Sequence, residues 1–285
     1  MRKVSVLFLV SILLASFVFI GTSSSYIDSK VAASINQDEI TLPILMYHNV
    51  LKSRKGKYIV TPNQLEQDFI ALKENGFTTV FMSEVINWVD GKGQLPEKPI
   101  VLTFDDGHYN NMFYALPLAK KHGIKFMINP VTSFSKFTTD TGDHSNPNYS
   151  HITWEQMKQA HDSGHIEIGN HTHALHKFKP RFGIMQISSE DTKTYIETIK
   201  KDIEQAQDLI EKSGTPRPTT FAYPFGKFTK EGKQLLVKMG FRAILTCTEG
   251  TSTIKKGDAT TLHHLKRYNR DGWESTGEVI NKITR

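Results

Sequence analysis

The stretch Ile100-Val-Leu-Thr-Phe-Asp-Asp-Gly107 constrains the fold more than any other part of the chain. A short apolar and β-branched run of this kind is a strand covered on both faces, the condition met in parallel sheets. Asp105, Asp106 and Gly107 then stand where the strand emerges, on the rim that parallel α/β folds use for ligands and chemistry. Adjacent carboxylates repel one another, and a metal or a shared proton is the usual relief. The alternative is a polar turn closing the strand, for which Asp-Gly is a common signal.

The rest of the chain has the same grain. Ile44-Leu-Met-Tyr47 is a second buried-strand candidate, with His48 at its end. Thr61-Pro62 supplies an N-cap and first helical residue, Leu65, Phe69 and Leu72 recur at helical spacing, and Gly76 closes the helix. Strands are expected at 77–82, 124–129, 165–170, 219–223, 241–246 and near 262–268. Helices are expected from Ser83, up to His122 with a kink at Pro117, and over 154–163, 190–212, 229–239 and 273–283. Residues 130–150, rich in Ser, Thr, Asn and Gly, are expected to form a long polar loop. Strands and helices thus alternate about seven times without a repeat, which predicts one α/β domain on a parallel sheet, open or closed into a barrel.

At the N-terminus, Met1-Arg-Lys precedes the apolar run 4–20 and then Gly21-Thr-Ser-Ser-Ser25. That is the layout of a secretory signal. The run also approaches the length of a membrane span. Residues 1–25 are therefore expected to be a signal peptide or an N-terminal membrane anchor, 26–42 a linker, and 43–285 the catalytic domain. Cys247 is the only cysteine, so no intrachain disulfide can form. Arg2 and Lys3 supply two of the net +6 charges, leaving +4 on the remainder. A mild positive balance suits an anionic partner at the cell surface. No basic run is dense enough for nucleic-acid binding.

Four strand ends carry reactive groups: His48, Asp105 with Asp106, the cluster His171, His173 and His176, and Tyr223-Pro-Phe-Gly226. In a parallel barrel all such ends meet on one rim. Neutral imidazole is a good zinc ligand, and a catalytic zinc keeps a position open for water. His171, His176 and Asp106 would make a two-histidine, one-carboxylate set, with His173 pointing away. Asp105 is then free as a general base, and His48 as the general acid for a leaving amine. Because Pro224 lacks an N–H, the backbone N–H of Tyr223 is the expected oxyanion contact. Packing of Tyr-Pro-Phe-Gly as a tight turn is the competing reading.

Thr103-Phe-Asp-Asp-Gly107, His171-Thr-x-x-x-His176 and Phe221-Ala-Tyr-Pro-Phe-Gly226 together resemble the polysaccharide deacetylases, the NodB-homology group of carbohydrate esterase family 4. The resemblance covers roughly residues 40–270 and implies a distorted (β/α)7 barrel. It also implies removal of acetyl groups from N-acetylated sugars with a divalent metal. Asp105 would be the base, and Asp106, His171 and His176 the ligands. The five-residue spacing of the two histidines and the segment Met46-Tyr-His48 look like the branch acting on poly-N-acetylglucosamine, which favours His48 over His263 and His264 as the acid. The arginine that usually tethers the base is missing from its motif, where Ala222 and Tyr223 stand, leaving Arg217 and Arg267 as candidates.

The expectation is an exported N-deacetylase of N-acetylglucosamine polymers, secreted or anchored at the outer face of the envelope. Peptidoglycan, poly-N-acetylglucosamine and chitin-like oligomers are the candidate substrates. Zn2+ is the expected metal by ligand type, with Co2+ or Ni2+ fitting the same set. Two other functions compete: an O-acetyl esterase on the same scaffold, and a non-catalytic glycan-binding module.

Overall fold

The computed structural model describes residues 38–284, so the expected signal or anchor at 1–25 lies outside them. Strands β1 (Glu39–Leu42) and β2 (Ile44–Tyr47) lead into the short pair β3 (Asn49–Val50) and β4 (Ile59–Val60). Helix α1 (Pro62–Glu74), β5 (Thr78–Thr79), α2 (Met82–Val89) and the long strand β6 (Pro99–Asp106) follow. A π-helical turn (Asn111–Ala115) runs into α3 (Leu116–His122), then β7 (Phe126–Pro130), α4 (Thr132–Thr141), α5 (Trp154–Asp162) and β8 (Ile166–Ile168). The chain continues through α6 (Thr192–Lys212), β9 (Thr220–Ala222), α7 (Lys230–Lys238), β10 (Ala243–Leu245), β11 (Ser252–Lys255), β12 (Tyr268–Asn269) and α8 (Thr276–Ile283). Among these helices none is long and apolar enough to cross a membrane.

The parallel pairing runs β12-β2-β6-β7-β8, with β5 on the first residues of β6. Single parallel bridges continue it: Asn170 to Phe221 joins the exit of β8 to β9, and Leu245 to Leu265 returns β10 towards β12. The result is the expected distorted barrel, with two of its joints reduced to bridges. Side chains alternate as the pleat requires. Leu102 and Phe104 pack outward with residues of α1, α3 and α5, while Val101 packs inward with Ile44, Met127 and Ala222. Asp105, in step with Val101, is thereby aimed into the barrel.

Capping fixes several boundaries. Thr61 and Gln64 form a capping box on α1, and Thr153 and Gln156 form one on α5. Helix α2 begins two residues earlier than a Ser83 cap would allow, with Phe81 at the N-cap position. Glu84 accepts from the N–H of Phe81, and Glu167 accepts from those of Met82 and Ser83. Pro117 sits at the start of α3, just after the π-helical turn, where a missing N–H is harmless.

Two expectations are corrected. Residues 39–42, placed in the linker, form β1 and pair antiparallel with β11; the exposed Glu39 and Thr41 hide the strand, while Leu42 is fully buried. Helix α4 fills much of the expected 130–150 loop. Its buried face is Thr132, Ser135 and Thr138, so the helical period is written in hydroxyls rather than apolar residues.

Candidate active site

Asp106 and Gly107 turn the chain out of β6 with consecutive left-handed backbones, φ 73° and 75°. A side chain at Gly107 would put its Cβ 2.8 Å from Cβ and 2.9 Å from Cα of Pro130. Only glycine fits there. The histidine loop is held equally tightly. Thr172 is left-handed (φ 75°) and donates its N–H to Oδ1 of Asn170 at 2.8 Å. Asp202 of α6 accepts the N–H groups of His173 and Ala174, each at 2.8 Å.

These turns bring two imidazoles onto one carboxylate. Nε2 of His176 lies 3.4 Å, and Nε2 of His171 3.7 Å, from Oδ1 of Asp106. The three donor atoms all fall within 4.8 Å of one another. That Oδ1 is buried and has no hydrogen-bond partner. His171 is buried, and burial pulls its pKa down to about 4 against the pull of Asp105 and Asp106. It is therefore a neutral ring at pH 7. Its Nδ1 donates to the carbonyl of Ala222 at 2.7 Å, which leaves Nε2 bare towards Asp106. An unsatisfied carboxylate oxygen facing two imidazole nitrogens, that of His171 bare, is a donor set that fits a divalent ion. His173 faces elsewhere, paired with Thr132 and Gln205, as expected.

Asp105 is buried beside this set. Arg267 grips it through both oxygens at 2.9 and 2.8 Å, and Asn129 donates to Oδ1 at 2.8 Å. Burial alone would raise the Asp105 pKa. The Arg267 guanidinium, helped by His171, overrides it and holds the carboxyl well below the usual range. Arg267 is itself anchored by Thr246 and Thr103. Arg217, the other candidate, is bound to Asp208 and Glu211 on the exposed side of α6. Arg267 is the tether.

His48 leaves β2 on the same rim, its ring against Tyr58 with centroids 4.7 Å apart. Burial lowers its pKa, while the charges of Asp106 and Asp105 oppose that shift. Its Nδ1 is buried without a partner. His264 packs edge-on to Phe228 instead.

Tyr223 is not placed as expected. Its N–H is spent on the carbonyl of Leu245 at 3.0 Å, a sheet bond that residues leaving β9 must make. Its ring stacks on Phe228 and its hydroxyl is buried. The next N–H in the chain, that of Phe225, makes no hydrogen bond within the described residues. Phe225 is left-handed (φ 57°) and its ring lies 4.3 Å from that of His176. The unspent donor at this turn is therefore Phe225.

One neighbour went unread in the sequence. His108 places Nε2 3.4 Å from Oδ2 of Asp106, the oxygen facing away from the two imidazoles, and contacts Asn49 at 3.0 Å. Its ring lies 4.9 Å from that of His151. The available signal was its position directly after the Asp-Asp-Gly turn.

The sequence model of the family described as polysaccharide deacetylase matches residues 92–244, which include Asp105, Asp106, His171 and His176. The chain belongs to the polysaccharide deacetylase family. Among curated relatives of this deacetylase, YxkH of Bacillus subtilis (strain 168), named for the same family, is 26% identical over 225 residues, 79% of this chain and 71% of that one. The poly-beta-1,6-N-acetyl-D-glucosamine N-deacetylase of Escherichia coli (strain K12) is 23% identical over 240 residues. That match takes in 75% of the deacetylase described here and only 35% of the E. coli protein. The solved structure of IcaB from Ammonifex degensii superposes with a TM-score of 0.69 at 24% identity, covering 86% of this chain and 97% of that one. The barrel is thus the fold of known deacetylases.

Proposed function

We propose that this deacetylase removes N-acetyl groups from N-acetylglucosamine polymers of the cell envelope, using a divalent metal held by Asp106, His171 and His176. The observation that carries the reading is the pairing of that donor set with a second carboxylate, Asp105, locked by Arg267 on the same rim. A glycan-binding module would have no use for a clamped base beside a metal. The name of the E. coli relative, a poly-beta-1,6-N-acetyl-D-glucosamine N-deacetylase, supports the substrate class.

A bound ion of this kind supplies Lewis acidity, making a water nucleophilic near neutral pH. Asp105 accepts the proton of the attacking water, and its bidentate clamp keeps one geometry through the reaction. The N–H of Phe225 stands ready for the oxyanion that develops on the acetamide carbonyl. His48 donates a proton to the departing nitrogen as the C–N bond breaks, so that acetate and a free amine leave. His48 serves as an acid only while protonated, and because burial lowers its pKa from the usual 6.5, raising the pH removes this proton already on the acidic side of neutrality. Residues 1–25 would export the enzyme to its polymer as a cleaved signal or as an anchor.

The test is acetate release from chitopentaose and poly-N-acetylglucosamine by the full chain, with acetylxylan as the ester control. Activity on the amides that is lost with Asp105→Asn and with chelator, and regained with zinc after chelation, supports the reading. Acetate from acetylxylan alone would make the protein an esterase. No acetate from any of the three would leave a binding module.

A further inference from the structure

Directly after the short strand that follows His48, the chain makes a loop bearing Lys52, Arg54, Lys55 and Lys57 within six residues. All four are exposed, and none forms a salt bridge within 4.0 Å or donates a side-chain hydrogen bond among the described residues. Unpaired like charges this close repel one another, a cost that an anionic ligand would relieve. Lys55 Nζ sits 5.2 Å from the ring centroid of Trp273, and Lys57 Nζ 5.5 Å from that of Tyr58. Both rings are open to solvent, Trp273 at 65% and Tyr58 at 47%. Tyr58 is the residue packed on His48, so the loop borders the reaction centre.

The loop is built rather than floppy. Gly56 and Ile59 exchange backbone hydrogen bonds at 2.9 Å, and Gly56 accepts from the N–H of Gly272 at 2.9 Å. A Cβ at Gly272 would fall 1.9 Å from the Ile59 carbonyl oxygen, so the two segments are in direct backbone contact. Asn269 holds the Lys57 carbonyl at 2.8 Å. Exposed aromatic rings suit contact with a sugar, and cations beside them suit an acidic substituent.

We propose that this lip binds a carboxylate or phosphodiester group borne by the acetylated glycan, so that the preferred substrate is an anionic rather than a neutral N-acetylglucosamine polymer. The inference rests on the deacetylase reading above and narrows its substrate. Residues 52–57 take no part in the chemistry; they raise the local concentration of a charged polymer at the His48 side of the site.

Three soluble polymers with one backbone separate the classes: glycol chitin is neutral, carboxymethyl chitin carries carboxylates, and phosphorylated chitin carries phosphate. The full chain is compared with the quadruple variant Lys52→Ser, Arg54→Ser, Lys55→Ser and Lys57→Ser on each. The expected result is a loss of roughly tenfold or more in kcat/KM on one or both charged polymers, with glycol chitin unchanged within about twofold. The charged polymer that suffers more names the group. The wild-type advantage on that polymer should also shrink as ionic strength rises from about 20 to about 300 mM. An equal loss on all three polymers, or no loss on any, overturns the proposal. If no polymer yields acetate, the deacetylase reading has failed separately, and affinity electrophoresis in gels cast with each polymer still tests the lip. Retardation of the wild type but not the variant by a charged polymer supports it, and identical migration refutes it. Binding to phosphatidylglycerol vesicles lost in the variant, with all three polymers spared, would assign the lip to a membrane and refute the proposal too.

Discussion

Arg267 holds both oxygens of Asp105 from 162 positions further along the chain, and the pair is fully enclosed by the barrel. Removing one partner of a buried pair strands the other charge, a loss of about 3–5 kcal/mol. Arg267→Met is therefore expected to lower stability by that amount at pH 7. Wild-type Asp105 has a depressed pKa, so its stabilisation is present above the unfolded value and fades as pH falls through the folded one. In the variant, burial without the guanidinium raises that pKa instead. Urea denaturation from pH 7 down to pH 4 should show the gap between the two proteins narrowing; a constant gap would mean that Arg267 acts by packing alone.

His108 touches the outward oxygen of Asp106 and leaves Oδ1 to the two imidazoles. A group in that place orients a ligand without being one, and its loss costs about 10–100-fold in metal affinity. His108→Phe keeps a ring of similar size against His151. Competition between the metal-free protein and a chromophoric zinc chelator should show the weakened binding. Unchanged affinity would reduce His108 to a packing residue.

Tyr223 offers a cleaner negative. Its N–H belongs to the sheet and its hydroxyl is buried without a partner. Tyr223→Phe removes an unsatisfied polar group, so thermal stability should hold or rise by up to about 1 kcal/mol. Acetate release should stay within about twofold of wild type. A loss of a hundredfold would return Tyr223 to the chemistry.

In the metal-free protein, His171 and His151 both carry pKa values pulled by burial from 6.5 to about 4. Both are neutral above pH 6.5 in either state. Below it the unfolded chain takes up protons that the folded one refuses, so stability falls between about pH 6.5 and 4 and then levels off. Each fully buried group accounts for up to about 3 kcal/mol, less for the partly exposed His151. Denaturation of the chelated protein across that window should show a proton uptake to which His171 and His151 each add up to one, so that His151→Phe lowers the uptake by up to one proton.

The barrel and most of its site were legible because their signals are local. The Asp-Asp strand, the Thr61 and Thr153 caps and the pair His171 and His176 each follow from a few neighbouring residues. What escaped depends on contacts between distant segments. Arg267 could be named only as one of two candidates, because its grip exists only once β10 and β12 return to the sheet. The oxyanion donor proposed here is Phe225 rather than Tyr223, because the pairing register of β9, invisible in sequence, consumes the Tyr223 N–H. Helix α4 was hidden because hydroxyl side chains carry its buried face, and β1 because two of its four residues face solvent.

Asp106, Thr172 and Phe225 are the non-glycine residues of the described chain with left-handed backbones, and all three lie in or beside the proposed metal-binding set. For β-branched and bulky residues that conformation is disfavoured by roughly 1–2 kcal/mol each. Glycine at 172 or 225 would relax the backbone while loosening the turns that converge on the donor set. A lineage selected for heat resistance alone would thus gain by eroding its own catalyst, and a lasting hot-environment homologue must find its extra stability far from this rim.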